Sequence, residues 1–315
     1  MKTALPGALP AERQERFFPY FKRNWVLYMM VLPGLAVLII FSYLPMSGII
    51  MAFEKNYMPA RGLMGSDWVG LEHFAKFFRS AFFERLMGNT LILGIQSLIF
   101  SFSTPILFAL LLNELRNAAF RRVTQTISYF PYFISTVIVI GLLKDMTSVN
   151  GGVVNLLIQK ITGNTINFFS DPGWFRPLYI ISGLWTGMGY NSIIYLAAIS
   201  GINPEMYESA LLDGANRFQQ AVHITLPSIS STIVILLILA VGGIVGNDYQ
   251  KILLMYSPLT YKTADVISTY VYREGILGGG YSYTTAIGLF NSLISLVLVL
   301  GTNWLARKIS DTSIF

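Results

Sequence analysis

The side chains best suited to catalysis are almost absent from this chain. There is no cysteine, so a disulfide framework, a thiolate metal site and a cysteine nucleophile are all excluded. Only two histidines occur, His73 and His223, far apart in sequence. No His-Glu-x-x-His pair and no glycine-rich phosphate loop is present. The sequence therefore assigns no catalytic residue and no metal ligand. Two other patterns stand out. The first is a spacing: Glu208-Ser209-Ala210, three residues, Gly214, nine residues, then Ile224-Thr225-Leu226-Pro227. The second is a set of polar and aromatic residues inside long apolar stretches. Trp185, Tyr190 and Asn191 share one stretch, Asn247 closes another, and Asn291 and Ser295 stand one turn apart in a third. Polar groups at bilayer depth are costly, and two readings apply to them: they line a pathway, or they bond a neighbouring helix.

Composition says which elements must position these residues. The 315 residues are 54% hydrophobic and 12% charged, with a mean hydropathy of +0.57, whereas soluble domains carry about 25% charged residues. This predicts an all-α integral membrane protein. Six charge-free stretches reach the ~20 apolar residues that a spanning helix needs. Trimmed of polar ends, they give spans near 27–52, 89–112, 123–143, 178–199, 229–247 and 284–305. Pro33, Pro45, Pro105 and Pro131 fall in or at the ends of spans and imply kinks. Gly242, Gly243 and Gly246 read chiefly as close helix packing. Asp248 and Lys251, at i and i+3, read as a local ion pair at the membrane edge. Between spans three and four, residues 150–157 suggest a short amphipathic helix, and Asp171-Pro172-Gly173 a turn.

Residues 1–24 form a polar, basic and aromatic tail that lacks the features of a cleavable signal. An interfacial helix and a disordered basic tail fit it equally. Residues 25–315 read as one membrane domain without repeats. The net charge of +6 is spread over loops, which points to membrane topology and anionic lipid, not to nucleic acid. Lys and Arg tie between the two sides of the membrane, but Arg116, Arg121 and Arg122 crowd one short segment, which favours an inner N-terminus.

The loop 203–227 has its own physics. Asn203 caps a helix, Pro204 suits its first position, and Glu205 and Glu208 favour its positive end. Met206, Tyr207, Ala210 and Leu211 share a face, and Asp213-Gly214 breaks the helix. A second helix over about 215–226 would run to Pro227, which opens the next span.

The Glu208-to-Pro227 pattern closely resembles the EAA loop of binding-protein-dependent ABC importers, departing only at Ser209, where alanine is usual. Further phrases resemble the permeases of the oligosaccharide and polysaccharide branch, once labelled lipoprotein-associated. These are Leu32-Pro33-Gly34, Phe41-Ser42-Tyr43-Leu44-Pro45, Trp68-Val69-Gly70-Leu71, Asn89-Thr90, Tyr129-Phe130-Pro131 and Asn150-Gly151-Gly152. The resemblance covers about residues 20–315. It implies a type I importer permease fold in the inner membrane, working by alternating access. A second, related permease subunit would complete a heterodimer, two cytoplasmic ATPases would bind ATP and Mg, and an extracytoplasmic binding protein would deliver a saccharide. No cofactor would sit in this chain.

The family's ATPase contact would fall on Glu205, Glu208, Ala210, Asp213, Gly214, Leu226 and Pro227. Because ATP is cytoplasmic, this loop and both termini would be cytoplasmic too. Trp185, Tyr190, Asn191, Asn247, Asn291 and Ser295 are the pathway candidates, since aromatic faces and hydrogen-bonding side chains hold sugars. Lys160, Arg176, Lys262 and Arg273 are compatible with an acidic glycan and equally with ordinary loop charge. A permease for another solute, such as a polyol phosphate or polyamine, is the alternative within this class. A channel outside the ABC class or a membrane enzyme leaves the loop spacing unexplained. His223 reads as a polar position on a surface helix.

Overall fold

The computed structural model describes residues 23–309 and divides into two compact units that meet between Ile50 and Met51. The tail reading thus lies outside the described residues, apart from Arg23 and Asn24. Helix α1, Trp25–Phe53, carries the chain out of the first unit. It widens into a π-turn over Ile39–Tyr43, just ahead of Pro45, whose missing N–H disturbs the ladder there.

The second unit is helical throughout, with a single isolated bridge, Glu54 to Trp68, among the described residues. A short surface helix, α2 (Glu72–Phe78), leads into the long α3 (Phe83–Asn113). Next come α4 (Ala118–Tyr129), α5 (Thr136–Thr147), α6 (Val153–Thr162) and the long α7 (Pro172–Ser200). The hairpin of α8 (Pro204–Leu212) and α9 (Arg217–Ser228) precedes α10 (Ser230–Gly242). Short helices α11 (Tyr249–Met255) and α12 (Ile267–Val271) then lead to α13 (Tyr281–Ile309).

Side-chain caps fix six of these starts. Asn117, Ser135, Asp171, Asn203, Asn216 and Asp248 each accept a bond from a backbone N–H in the first turn of the helix they precede. Asp171-Pro172-Gly173 is therefore the capped start of α7, with Pro172 at its first position, and not a free turn. The short helix expected over 150–157 is α6, which starts later, at Val153, and runs on to Thr162.

Helices α1, α3 and α13 are each long and apolar enough to cross a membrane, and two bent pairs qualify if each counts as one span. Helix α7 has the length, 29 residues or about 43 Å at 1.5 Å per residue. Its centre is interrupted by Gly187, Gly189 and Asn191, which dilutes its apolar character.

Two spans differ from the sequence reading. The stretch 123–143 is not one helix. Pro131 sits in a tight turn, Ile134 and Ser135 are extended, and α5 leaves α4 and its turn at 102°. The stretch 229–247 is helical only to Gly242, after which residues 243–248 unwind into turns. Pro227 lies inside α9 and does not open α10. The bend falls at Ile229, where the two helices meet at 66°.

The interior is built on α3 and α7, the most extensive helix pair. Three apolar clusters surround them. One joins α3, α5, α7 and α11, one joins α2, α3, α12 and α13, and one joins α3, α7 and α10. The unwound turn after α10 can press on α3 because Gly94 has no side chain. A Cβ there would run into the Ile244 carbonyl. Gly242 packs on α13, where a Cβ would meet Val299.

Away from the hairpin end of α3, Asp265 is fully buried and accepts from Arg85 at 3.0 Å, from Arg273 at 3.1 Å and from Thr269 at 3.1 Å. Asn89 bonds the Lys262 and Asp265 carbonyls, and its amide oxygen accepts from Arg176 at 2.9 Å. Arg176 and Arg273 are thus committed to internal bonds, whereas Lys160 and Lys262 are exposed. Leu107, Leu111, Leu296 and Val297 face outward, as lipid or a partner subunit requires.

Candidate functional site: a helical hairpin and two adjoining cavities

The hairpin is assembled from short-range chemistry. Asn203 accepts from the Glu205 N–H at 3.1 Å and donates to the Glu205 carboxylate at 3.2 Å. The end of α8 is a Schellman arrangement. The Ala215 N–H reaches the Ala210 carbonyl at 2.9 Å, and the Gly214 N–H reaches the Leu211 carbonyl at 3.1 Å. Gly214 sits at φ +78, the left-handed region that favours glycine. A capping box between Asn216 and Gln219 starts α9. Tyr207 and Thr225 bond side chain to side chain at 2.9 Å and hold the two helices together. Arg217 pairs with Glu114, just past the end of α3, so the hairpin is tied to a spanning helix.

The shared face expected for α8 is divided. Tyr207 and Ala210 are half-buried, while Met206 and Leu211 are exposed. Leu212 is 91% exposed and Phe218 77%, so the hairpin presents an apolar tip. Glu205, Glu208, Asp213 and Gly214 are exposed beside it, Leu226 is half-buried, and Pro227 is exposed at the far end of α9. A shallow cleft lined by Ala210, Asp213, Gly214 and His223 runs between the helices. His223 is exposed and bonds the Gln219 carbonyl.

Two cavities, of about 390 Å³ and about 310 Å³, adjoin between the spans. Ser97 and Ser101 of α3, Tyr179 of α7 and Asp248 line both. Asn191 and Asn247 line the first; Tyr132, Thr186 and Lys251 line the second. Asn247 also bonds the Thr90 carbonyl at 3.1 Å. The Ser97 hydroxyl is buried without a hydrogen-bond partner among the described residues.

Of the remaining pathway candidates, Tyr190 is stacked on Tyr132, with ring centroids 3.8 Å apart, and lines neither cavity. Trp185 is exposed and also lies outside both. Asn291 donates to the Val245 carbonyl at 3.0 Å and so braces the unwound turn. Ser295 is half-buried on α13, away from the cavities.

Lys251 was not among the candidates. It does not pair with Asp248 across the turn. Asp248 caps α11 by accepting from the Lys251 backbone N–H at 3.1 Å, and the Lys251 ammonium goes to the Tyr179 carbonyl at 2.7 Å. It also lies 4.3 Å from the centroid of the Tyr179 ring. Burial pushes this ammonium down to about 8, with the Asp248 charge opposing. Lys251 is the one cation lining either cavity among the described residues. Asn191 and Asn247 were candidates and line the first cavity; beyond them only the i, i+4 serines of α3 and Asp248 beside Asn247 hinted at this lining in the sequence. Nothing local told which face of α3 or α7 turns inward.

The family model described as binding-protein-dependent transport system inner membrane component matches residues 101–311, which include the hairpin and most of the residues that line the two cavities. Protein LplB of Bacillus subtilis (strain 168) is 43% identical over 294 residues, covering 93% of this chain and 92% of that protein. The polygalacturonan/rhamnogalacturonan transport system permease protein YteP of the same organism is 42% identical over 304 residues, covering 96% and 94%. A crystal structure of a bacterial alginate ABC transporter, in complex with its alginate pentasaccharide-bound periplasmic protein, includes a chain 45% identical to this one. It superposes with a TM-score of 0.87 over 95% of this chain and 100% of that one.

Proposed function

Because the chain belongs to the binding-protein-dependent transport system inner membrane component family, we propose a division of labour among its parts. In this reading the α8–α9 hairpin engages the ATPase, and the two adjoining cavities form its share of the path for an acidic oligosaccharide or polysaccharide. The chain is a permease subunit of an ATP-driven sugar importer, and ATP hydrolysis belongs to partner subunits. A second permease, two ATPases and an extracytoplasmic binding protein complete the system.

The observation that carries the coupling role is the Gly214-centred hairpin, tied to the end of α3 through Arg217 and Glu114 beside its turn and exposing Leu212 and Phe218 at its apolar tip. Closure of an ATPase dimer against that tip would push α3 and α10 together, shifting the population between two packings of the same helices. The unwound turn at 243–248 and the break at 134–135 are natural flexing points. Since ATP is cytoplasmic, the hairpin side is the cytoplasmic side, and both termini lie there.

The acidic character of the substrate is supported from two directions. YteP is named for polygalacturonan and rhamnogalacturonan, and the structural relative carries the acidic polysaccharide alginate. Lys251 brings a cation to the cavity wall next to Asp248. An ammonium suits a sugar carboxylate, while Asp248, Ser97, Ser101 and Asn191 suit hydroxyls. The test is uptake by proteoliposomes holding the whole complex, with binding protein outside and ATP inside. Uronate oligosaccharides should accumulate and neutral ones of equal length should not. Equal uptake of both would overturn the acidic reading.

A further inference from the structure

A third cavity, of about 970 Å³, lies at the opposite end of α3 from the hairpin and shares no lining residue with the two described above. Its walls are the segment 56–58, helix α2, residues 80–82, the end of α12 and the turn that opens α13. We infer that this cavity is a second saccharide site, which holds a carboxylated sugar on the outer side before it enters the membrane path. The inference rests on the acidic-substrate reading above.

The walls are built for such a ligand. Tyr57, Tyr281 and Tyr283 supply ring faces and hydroxyls, and the Tyr57 and Tyr281 rings meet edge-on at 6.2 Å. Sugar rings present C–H faces to aromatic faces and hydroxyls to polar groups. Backbone bonding fixes the arrangement, since the Tyr57 N–H donates to the Ser282 hydroxyl at 2.8 Å across a long sequence gap. Gly278, Gly279 and Gly280 form a wall with no side chains to fill the space, with Gly279 at φ +70.

Charge gives the selectivity. Lys76 and Arg79 sit one turn apart along α2 and its end, and neither meets a carboxylate in an ion pair among the described residues. The Lys76 ammonium lies 4.9 Å from the centroid of the Tyr283 ring, which places a cation and a sugar-stacking face together. The one carboxylate in the lining, Glu274, lies 4.0 Å from Arg273. The Ser80 hydroxyl is buried and lacks a partner among the described residues. The volume is at the upper end of the ~300–1,000 Å³ typical of small-molecule sites, room for more than one sugar ring.

The same cations would suit an anionic lipid headgroup, so the experiment must separate the two. The whole complex is placed in nanodiscs of phosphatidylcholine, with or without phosphatidylglycerol, and titrated with a fluorescent uronate oligosaccharide. The double variant Lys76→Gln, Arg79→Gln changes only exposed side chains. The expected result is about tenfold weaker uronate binding by the variant in both lipids. ATP hydrolysis at saturating loaded binding protein should be unchanged. Equal binding by wild type and variant would overturn the inference. So would a variant that loses only phosphatidylglycerol-dependent thermal stability, which would assign the cavity to lipid. If no uronate-loaded binding protein stimulates hydrolysis, the acidic-substrate reading fails instead; stimulation together with equal binding removes this second site alone.

Discussion

Gly214 shows how one residue can set the geometry of a contact surface. At φ +78 it turns the chain sharply between α8 and α9 and completes the Schellman bonds to Ala210 and Leu211. An L-residue in the left-handed region costs ~1–2 kcal/mol, and a β-branched one more. Gly214→Val should therefore leave the protein in the membrane but lower sugar-stimulated ATP hydrolysis at least tenfold, measured on the reconstituted complex. Full stimulation would remove Gly214 from the coupling role. Lys251 makes a pH prediction. Its ammonium is held near 8 by burial, so the charged form is lost as pH rises through about 8. Uronate uptake should fall across that window in the wild type and stay low and flat in Lys251→Met. A wild-type profile flat from pH 7 to 9 would contradict the role. Gly214 was legible in the sequence because a fixed spacing marks it. Lys251 was not, because an i, i+3 pattern with Asp248 looks like an ion pair until the unwound turn sends the ammonium to Tyr179.

At the scale of elements, the apolar lengths alone located every long helix, but not the breaks. Pro131 announced a kink, yet the size of the bend comes from the extended pair Ile134–Ser135 and the Ser135 cap, whose capping role emerges only with the fold. Likewise Gly243 and Gly246 resembled packing glycines, and what unwinds them is tertiary. Asn291 takes the Val245 carbonyl, and the Gly94 surface receives Ile244. The buried Asp265 joins α3, α12 and the segment after α12 through Arg85, Thr269 and Arg273. Asp265→Asn removes the countercharge from two partly buried arginines. The expected loss is roughly 2–4 kcal/mol, below the top of the range for a broken buried pair because both arginines keep some water. Thermal unfolding of the detergent-solubilised complex would show it as a lowered midpoint. An unchanged midpoint would mean that the network contributes little to stability.

The whole molecule leaves much apolar surface uncovered, as a membrane subunit in a larger assembly must. The hairpin tip differs from the lipid-facing surface, because Leu212 and Phe218 protrude on a polar, acidic loop. Replacing both with aspartate should leave the permease in the membrane but reduce its recovery with the ATPase several-fold, read by co-purification. Retained ATPase would place the contact elsewhere. The loop's family resemblance made this assembly legible from sequence, whereas the cavities required the fold that sets Ser97 in one wall with Asn191 and in the other with Lys251. The decisive measurement is ATP hydrolysis by the complete complex in lipid, with and without binding protein carrying a uronate oligosaccharide, in wild type and Gly214→Val. Strong stimulation in the wild type and little in the variant is the predicted result. Equal stimulation in both, or none in the wild type with any saccharide, would contradict a permease driven through this hairpin.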